Sequence, residues 1–177
     1  MNITFAPLEE KHFSNLLTWL NQPHVSKWYG ELNTWTRKDI DDKYRTYIDS
    51  YKIEDGIKKT IYAYIIECDG QPIGYIQYYN AYDFNTEGYK VFDSLPKSLA
   101  AIDLFIGEIS CIGKGIGPQC VKLFLTQYVW PHFDYCLVDP DARNAGALKA
   151  FERAGFSIVK ILEYPEVILM LASKNKS

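Results

Sequence analysis

Between residues 100 and 118 the chain passes from an apolar run, Ala100 to Ile106, into Ile112-Gly113-Lys114-Gly115-Ile116-Gly117-Pro118. That order requires a strand, then a glycine loop, then the start of a helix. Glycines at alternate positions let the backbone approach a ligand closely. A helix start presents unpaired N–H groups with partial positive charge, so an anionic diphosphate suits the loop. Two common glycine loops are disfavoured: a dinucleotide fingerprint needs Gly where Pro118 stands, and a nucleotide P-loop needs Ser or Thr where Gly115 follows Lys114. Pro118 falls in the first helical turn, where a missing N–H is harmless.

Hydrophobic spacing organises the rest. A short strand near Ile3 to Phe5 is followed by a helix with Phe13, Leu16, Leu17 and Leu20 on one face. Thr36 and Asp39 form a capping box for a second helix, whose stripe is Ile40, Tyr44, Tyr47, Ile48 and Tyr51. Lys27-Trp28-Tyr29-Gly30-Glu31 between them reads as a loop. Thr60 to Cys68 and Pro72 to Tyr79 flank Asp69-Gly70, a tight hairpin signal. Residues 81–97 lose periodicity and read as a loop facing solvent or a ligand.

After the loop helix, with Val121, Leu125, Tyr128 and Val129 as its buried stripe, come a strand at Tyr135 to Val138 and a helix from about Asn144 to Ala154, ended by Gly155. Two strands follow, around Ile158 to Leu162 and Val167 to Leu171. At 177 residues, a single domain spanning 1–177 around one central mixed sheet is the economical architecture.

A net charge of -3 gives no general attraction for nucleic acid or acidic membranes, and polycations are the better-matched ligands. Cys68, Cys111, Cys120 and Cys136 lack CxxC spacing and His12, His24 and His132 stand at no metal-ligand interval from them, so no metal site is expected. Four free thiols, no export signal and no membrane-length apolar run point to a soluble cytoplasmic protein.

The loop, together with Asn144-Ala145-Gly146-Ala147-Leu148-Lys149-Ala150-Phe151-Glu152-Arg153-Ala154-Gly155-Phe156 about 30 residues on, resembles the GNAT superfamily of N-acetyltransferases. Their patterns are Arg/Gln-x-x-Gly-x-Gly and Asn-x-x-Ala-x-x-x-Tyr-x-x-x-Gly-Phe. The resemblance implies a GNAT-type α/β (α+β) fold: a mixed, mostly antiparallel sheet flanked by helices, with a splayed strand pair forming the acetyl-CoA cleft. Trp19-Leu20-Asn21, Trp28-Tyr29-Gly30, Gly70 to Gln77, Ile102-Asp103, Gly113 to Gly117 and Asp139-Pro140 further resemble the aminoglycoside 6'-N-acetyltransferases. Siderophore-building acetyltransferases share several of these matches.

What this resemblance implies is specific. Ile112, Gly113, Lys114, Gly115, Ile116 and Gly117 would hold the diphosphate of acetyl-CoA, the cosubstrate. Backbone N–H groups along Leu104, Phe105 and Ile106 would meet the acyl oxygen, and Asn144 would contact the coenzyme arm. Asp103 matches the carboxylate kept for the acceptor amine, which would take a proton directly or through water and hold the amine in line. On the residues alone, Asp103 reads more readily as a carboxylate on the solvent face of a strand.

Glu87, Asp103, Asp139 and Glu166 match the acids around a cationic small-molecule amine, with Trp28, Tyr29, Gln77 and Tyr89 as walls. Phe151 stands where the superfamily keeps a general-acid tyrosine, and Ile112 where it keeps Arg or Gln. The expected activity is transfer of acetyl to the 6'-amine of an aminoglycoside by a monomer or homodimer. Linear amine acceptors, such as hydroxylysine or a polyamine, are one alternative. A non-catalytic acyl-CoA sensor, argued only from Phe151, is another.

Overall fold

The computed structural model describes residues 1–29, 34–84, 94–163 and 166–176. Its main sheet has seven strands in the order β1-β4-β5-β6-β7-β9-β8, mostly antiparallel and flanked by helices. These strands are β1 (Ile3–Pro7), β4 (Tyr62–Cys68), β5 (Gln71–Asn80), β6 (Leu99–Ile106), β7 (Tyr135–Val138), β8 (Ser157–Glu163) and β9 (Glu166–Ser173). By contact density the chain divides into two compact units, Met1–Gln77 with Asp103–Lys114 and Tyr78–Ile102 with Gly115–Ser177.

In the first unit β1 pairs antiparallel with β4, from Ile3 opposite Cys68 to Pro7 opposite Tyr64. Helix α1 (Phe13–Leu20) buries Phe13, Leu16, Trp19 and Leu20, so the expected stripe is joined by Trp19, while Leu17 is only partly buried. Helix α3 (Arg37–Ile48) begins where the capping box places it: the Thr36 hydroxyl accepts from the Asp39 N–H, and the Asp39 carboxylate accepts from the Thr36 N–H. Ile40, Tyr44 and Tyr47 are its buried face.

Two sequence expectations fail in this unit. Lys27, Trp28 and Tyr29 lie on a helix, α2 (Pro23–Tyr29), because Pro23 starts it at the position where proline is tolerated and Val25 anchors it in the core. Tyr51 belongs not to the α3 stripe but to β2 (Tyr51–Glu54), which pairs antiparallel with β3 (Ile57–Thr60) around Asp55-Gly56 as a separate two-stranded sheet. The helix ends at Ile48, and Ser50 takes a left-handed conformation (φ 58°), so the helical periodicity of the tyrosines stops short of Tyr51.

In the second unit β6 pairs in parallel with β7 over three residue pairs, Leu99 with Tyr135 to Ala101 with Leu137. β7 and β8 each pair antiparallel with β9. Ala81, Leu99, Leu137 and Leu169 form a buried cluster, with Leu95, Ala101, Tyr135, Leu162, Val167 and Leu171 packed against it. Helix α4 (Ile116–Phe124) runs on into a π-helical turn at Leu125–Val129, which leaves Tyr128 only partly buried, stacked on Phe124 at 4.9 Å. The buried face of α4 is Ile116, Cys120, Val121 and Phe124. Helix α5 (Ala145–Ala154) packs against α4. No helix among the described residues is long and apolar enough to cross a membrane.

Candidate active site

Asp103 is partly buried on β6, and its carboxylate is held from β5. Gln77 Nε2 donates to Asp103 Oδ2 at 2.7 Å, and the Tyr75 hydroxyl donates to Gln77 Oε1 at 2.6 Å. Tyr75 is fully buried and Gln77 nearly so. Tyr75 and Gln77 sit two apart on β5 and share a face, which is why one can brace the other. A carboxylate oriented by a buried amide, itself oriented by a buried phenol, is a preorganised acceptor of hydrogen bonds.

The β6 backbone around Asp103 follows the alternation of a strand, in which the N–H and C=O of one residue point to the same side and those of the next to the other. A Cβ added to Gly74 on β5 would collide with the Phe105 carbonyl oxygen, so Phe105 turns its backbone groups toward β5. Leu104 and Ile106 therefore direct theirs away from β5. Of the three residues expected to offer N–H groups to an acyl oxygen, Phe105 thus faces β5, and Leu104 and Ile106 face away from it. Phe105 contributes its ring instead, stacked with Tyr75 at 5.7 Å and edge-on to Tyr29 at 4.9 Å and Trp19 at 6.3 Å.

Two close approaches hold this arrangement. A side chain at Gly74 would strike Phe105, and one at Gly107 would enter the Trp19 ring, whose Nε1 donates to Glu108 Oε1 at 2.8 Å. The Ile73 carbonyl accepts from both Gly107 N–H (2.8 Å) and Glu108 N–H (3.0 Å), which ends the strand. Trp28 lies on α2 with the Lys27 ammonium 4.5 Å from its ring centroid.

Gly113 and Gly115 both have φ 76°, the left-handed region that side chains disfavour, and open space where a Cβ would stand. Gly115 caps α4, so the N–H groups of Ile116 and Gly117 open the first turn without helical partners, while Pro118 has none to offer. Ile112 is half exposed ahead of the loop, and Lys114 is exposed within it. An exposed loop with bare glycines leading into a helix N-terminus fits a diphosphate group.

Asn144 caps α5, its Oδ1 accepting from Ala147 N–H at 3.1 Å. Phe151 is buried on that helix, edge-on to Phe156 at 5.4 Å, and it carries no proton to give. Asp139 is exposed after β7 and Glu166 exposed at the start of β9. Ala142 N–H donates to Glu166 O and Ile168 N–H to Pro140 O, both at 3.0 Å, which brings Asp139 and Glu166 to neighbouring segments. Glu87 and Tyr89 lie outside the described residues.

A model of the acetyltransferase (GNAT) domain matches residues 9–164. The chain belongs to the GNAT acetyltransferase family. As a GNAT protein it is an acyltransferase. It is 27% identical over 157 residues, 88% of this chain and 74% of the relative, to an aminoglycoside N(6')-acetyltransferase type 1 of Klebsiella pneumoniae, and equally to one of Serratia marcescens. The structure of AAC(6')-Ib with ribostamycin and coenzyme A superposes with a TM-score of 0.84 at 23% identity, covering 99% of this chain and 96% of that one. An aminoglycoside N(6')-acetyltransferase from Legionella pneumophila gives a TM-score of 0.68 at 21% identity, covering 98% and 94%. These structural likenesses establish the GNAT fold.

Sequence reasoning missed Tyr75 as the second support of Asp103, although its spacing of two from Gln77 was a readable signal. It also missed His24, whose Nε2 lies 3.2 Å from the Ile106 carbonyl oxygen. No local pattern marks that contact, because it joins residues 82 positions apart. Among the described residues no group of three or more His, Cys, Asp or Glu is placed to hold a metal ion.

Proposed function

We propose that this chain is an acetyl-CoA-dependent N-acetyltransferase acting on the 6'-amine of aminoglycosides by direct attack in a ternary complex. The observation that carries the proposal is the Tyr75–Gln77–Asp103 chain of hydrogen bonds, which fixes a carboxylate on the strand that also directs the Leu104 and Ile106 N–H groups away from β5. Similarity to relatives named for this reaction supports the same reading.

Acetyl-CoA supplies an activated acyl carbon and a thiolate leaving group. The amides of Ile116 and Gly117, reached over Gly113, Lys114 and Gly115, hold its diphosphate, and Asn144 offers Nδ2 to the coenzyme arm while Oδ1 keeps the helix cap. Leu104 and Ile106 donate N–H groups to the acyl oxygen. Asp103 accepts a hydrogen bond from the acceptor ammonium, takes its proton directly or through water, and keeps the nitrogen in line. Phe151 protonates nothing. A thiol with a pKa of about 8.5 departs tolerably as thiolate, so the reaction proceeds without an acid at that position. The acceptor contacts proposed from the family resemblance are the acids Glu87, Asp103, Asp139 and Glu166, whose charge suits several ammonium groups, with Trp28, Tyr29, Gln77 and Tyr89 to orient the sugar.

Thiol release from acetyl-CoA, measured with kanamycin or tobramycin and separately with N6-hydroxylysine and spermine, tests the assignment. Saturation at micromolar antibiotic is expected. Turnover confined to the linear amines rejects it.

A further inference from the structure

One side chain ties α2 to the end of β6. The Ile106 carbonyl can only accept, so His24 Nε2, at 3.2 Å, carries the hydrogen. Nδ1 is buried and has no hydrogen-bond partner among the described residues. The ring thus makes one directed polar contact, and that contact is with β6.

The same peptide unit is gripped from its opposite edge, where Gly107 N–H donates to the Ile73 carbonyl at 2.8 Å. The Ile106–Gly107 peptide is therefore clamped between a helix and a strand. One peptide earlier, the Phe105 carbonyl faces Gly74, so the N–H of Ile106 points the other way, on the side where His24 sits. Fixing the tilt of the later peptide fixes the direction of that N–H. One turn beyond His24 on the same helix stands Trp28, and Tyr29 next to it sets its ring edge on Phe105 at 4.9 Å.

We infer that His24 is a positioning residue for acyl transfer: its Nε2–H sets the Ile106 peptide, and with it the aim of the N–H that meets the acyl oxygen, while tying the Trp28–Tyr29 wall to the strand that bears Asp103. The inference rests on the acetyl-transfer reading above. A misalignment of about 1 Å at a reacting centre costs roughly 100-fold in rate. His24→Leu accordingly lowers kcat about 10- to 100-fold and leaves the Kd for acetyl-CoA within about two-fold, because the diphosphate loop is untouched.

Glutamine reaches as far as Nε2 and asparagine only as far as Nδ1. His24→Gln is thus expected to keep kcat within about three-fold of the native enzyme, and His24→Asn to behave like His24→Leu. Nitrogen-15 NMR of the native protein should show His24 as the neutral Nε2–H tautomer, and hydrogen exchange at the Ile106 and Gly107 amides should quicken in His24→Leu. Equal activity of the Gln and Asn variants, unchanged kcat in the Leu variant, or an Nδ1–H tautomer overturns the inference. Should the native enzyme acetylate no amine, the acetyl-transfer reading fails by itself, and the tautomer and exchange measurements still decide whether His24 holds the strand.

Discussion

Replacing Asp103 with asparagine removes a charge and keeps a shape. The asparagine amide oxygen can accept from Gln77 Nε2 as the carboxylate now does at 2.7 Å, so the Tyr75–Gln77 support survives. Unfolding free energy is expected to change by no more than about 1 kcal/mol, since no cavity is created. What disappears is a charge-assisted hydrogen bond to the incoming ammonium. Bonds to charged groups contribute about 1.5–3 kcal/mol, which corresponds to a fall of about 10- to 150-fold in kcat/KM for the amine. The assay is thiol release at fixed saturating acetyl-CoA with varied aminoglycoside, beside thermal unfolding of both proteins. A fall smaller than about three-fold with unchanged folding would show that the carboxylate does not face the amine. A loss beyond about 10⁴-fold would show that proton acceptance, not placement and charge, is its main contribution.

Gly107→Ala pushes a methyl group into the buried Trp19 ring, which its bond to Glu108 holds in place, and should destabilise the fold by about 1–3 kcal/mol or more in denaturant unfolding; an unchanged midpoint would contradict the close approach. Gly115→Glu meets open space but strains a left-handed backbone by about 1–2 kcal/mol, a modest loss of stability, while its carboxylate competes for the α4 amides and acetyl-CoA binding by calorimetry should be lost. Burial, aided by the Lys11 charge, holds the His12 imidazole below its usual 6.5, while its Nδ1 accepts from Glu9 N–H at 3.0 Å. The unfolded chain therefore takes up this proton first, and stability contributed by neutral His12 is full above about pH 6.5 and declines as pH falls toward the folded value. His12→Asn, which keeps an acceptor at the Nδ1 position, should flatten the dependence of unfolding midpoint on pH between 7.5 and 5.5. Iodoacetamide should label Cys68 and Cys111, which are partly exposed, in the folded protein, and Cys120 and Cys136 only after unfolding, since both are buried and burial pushes the Cys120 thiol up to about 12.

Local chemistry made much of the fold legible. The Thr36–Asp39 box starts α3, Asp69-Gly70 turns β4 into β5, and Gly115 to Pro118 opens α4, because each signal acts within a few residues of itself. The same Asp-Gly signal at Asp55-Gly56 was obscured by tyrosines that continue the α3 spacing and by strands too charged to look like strands. β2 and β3 are held by Glu54 bridging Lys52 and Lys59, and by Lys58 over the Tyr51 ring at 4.1 Å, interactions that periodicity does not register. The misreading of Trp28 and Tyr29 as loop has a similar source. Seven residues of mixed polarity carry little helical pattern, and what holds α2 is Val25 in the core, Tyr29 on Phe105 and His24 on Ile106.

From its amino acids alone the chain disclosed the glycine loop, the order of elements, the lone carboxylate of β6 and the family these resemble, since all of them are written in short spans and fixed spacings. Which groups face which was settled only in three dimensions: that Gln77 carries Asp103 and Tyr75 carries Gln77, that Phe105 turns its backbone groups toward β5 while Leu104 and Ile106 turn theirs away from it, and that a histidine on α2 grips the strand end. Those facts depend on contacts between residues far apart in the chain. A spacing rule fixes which side of an element a residue occupies, whereas packing alone decides what stands opposite it.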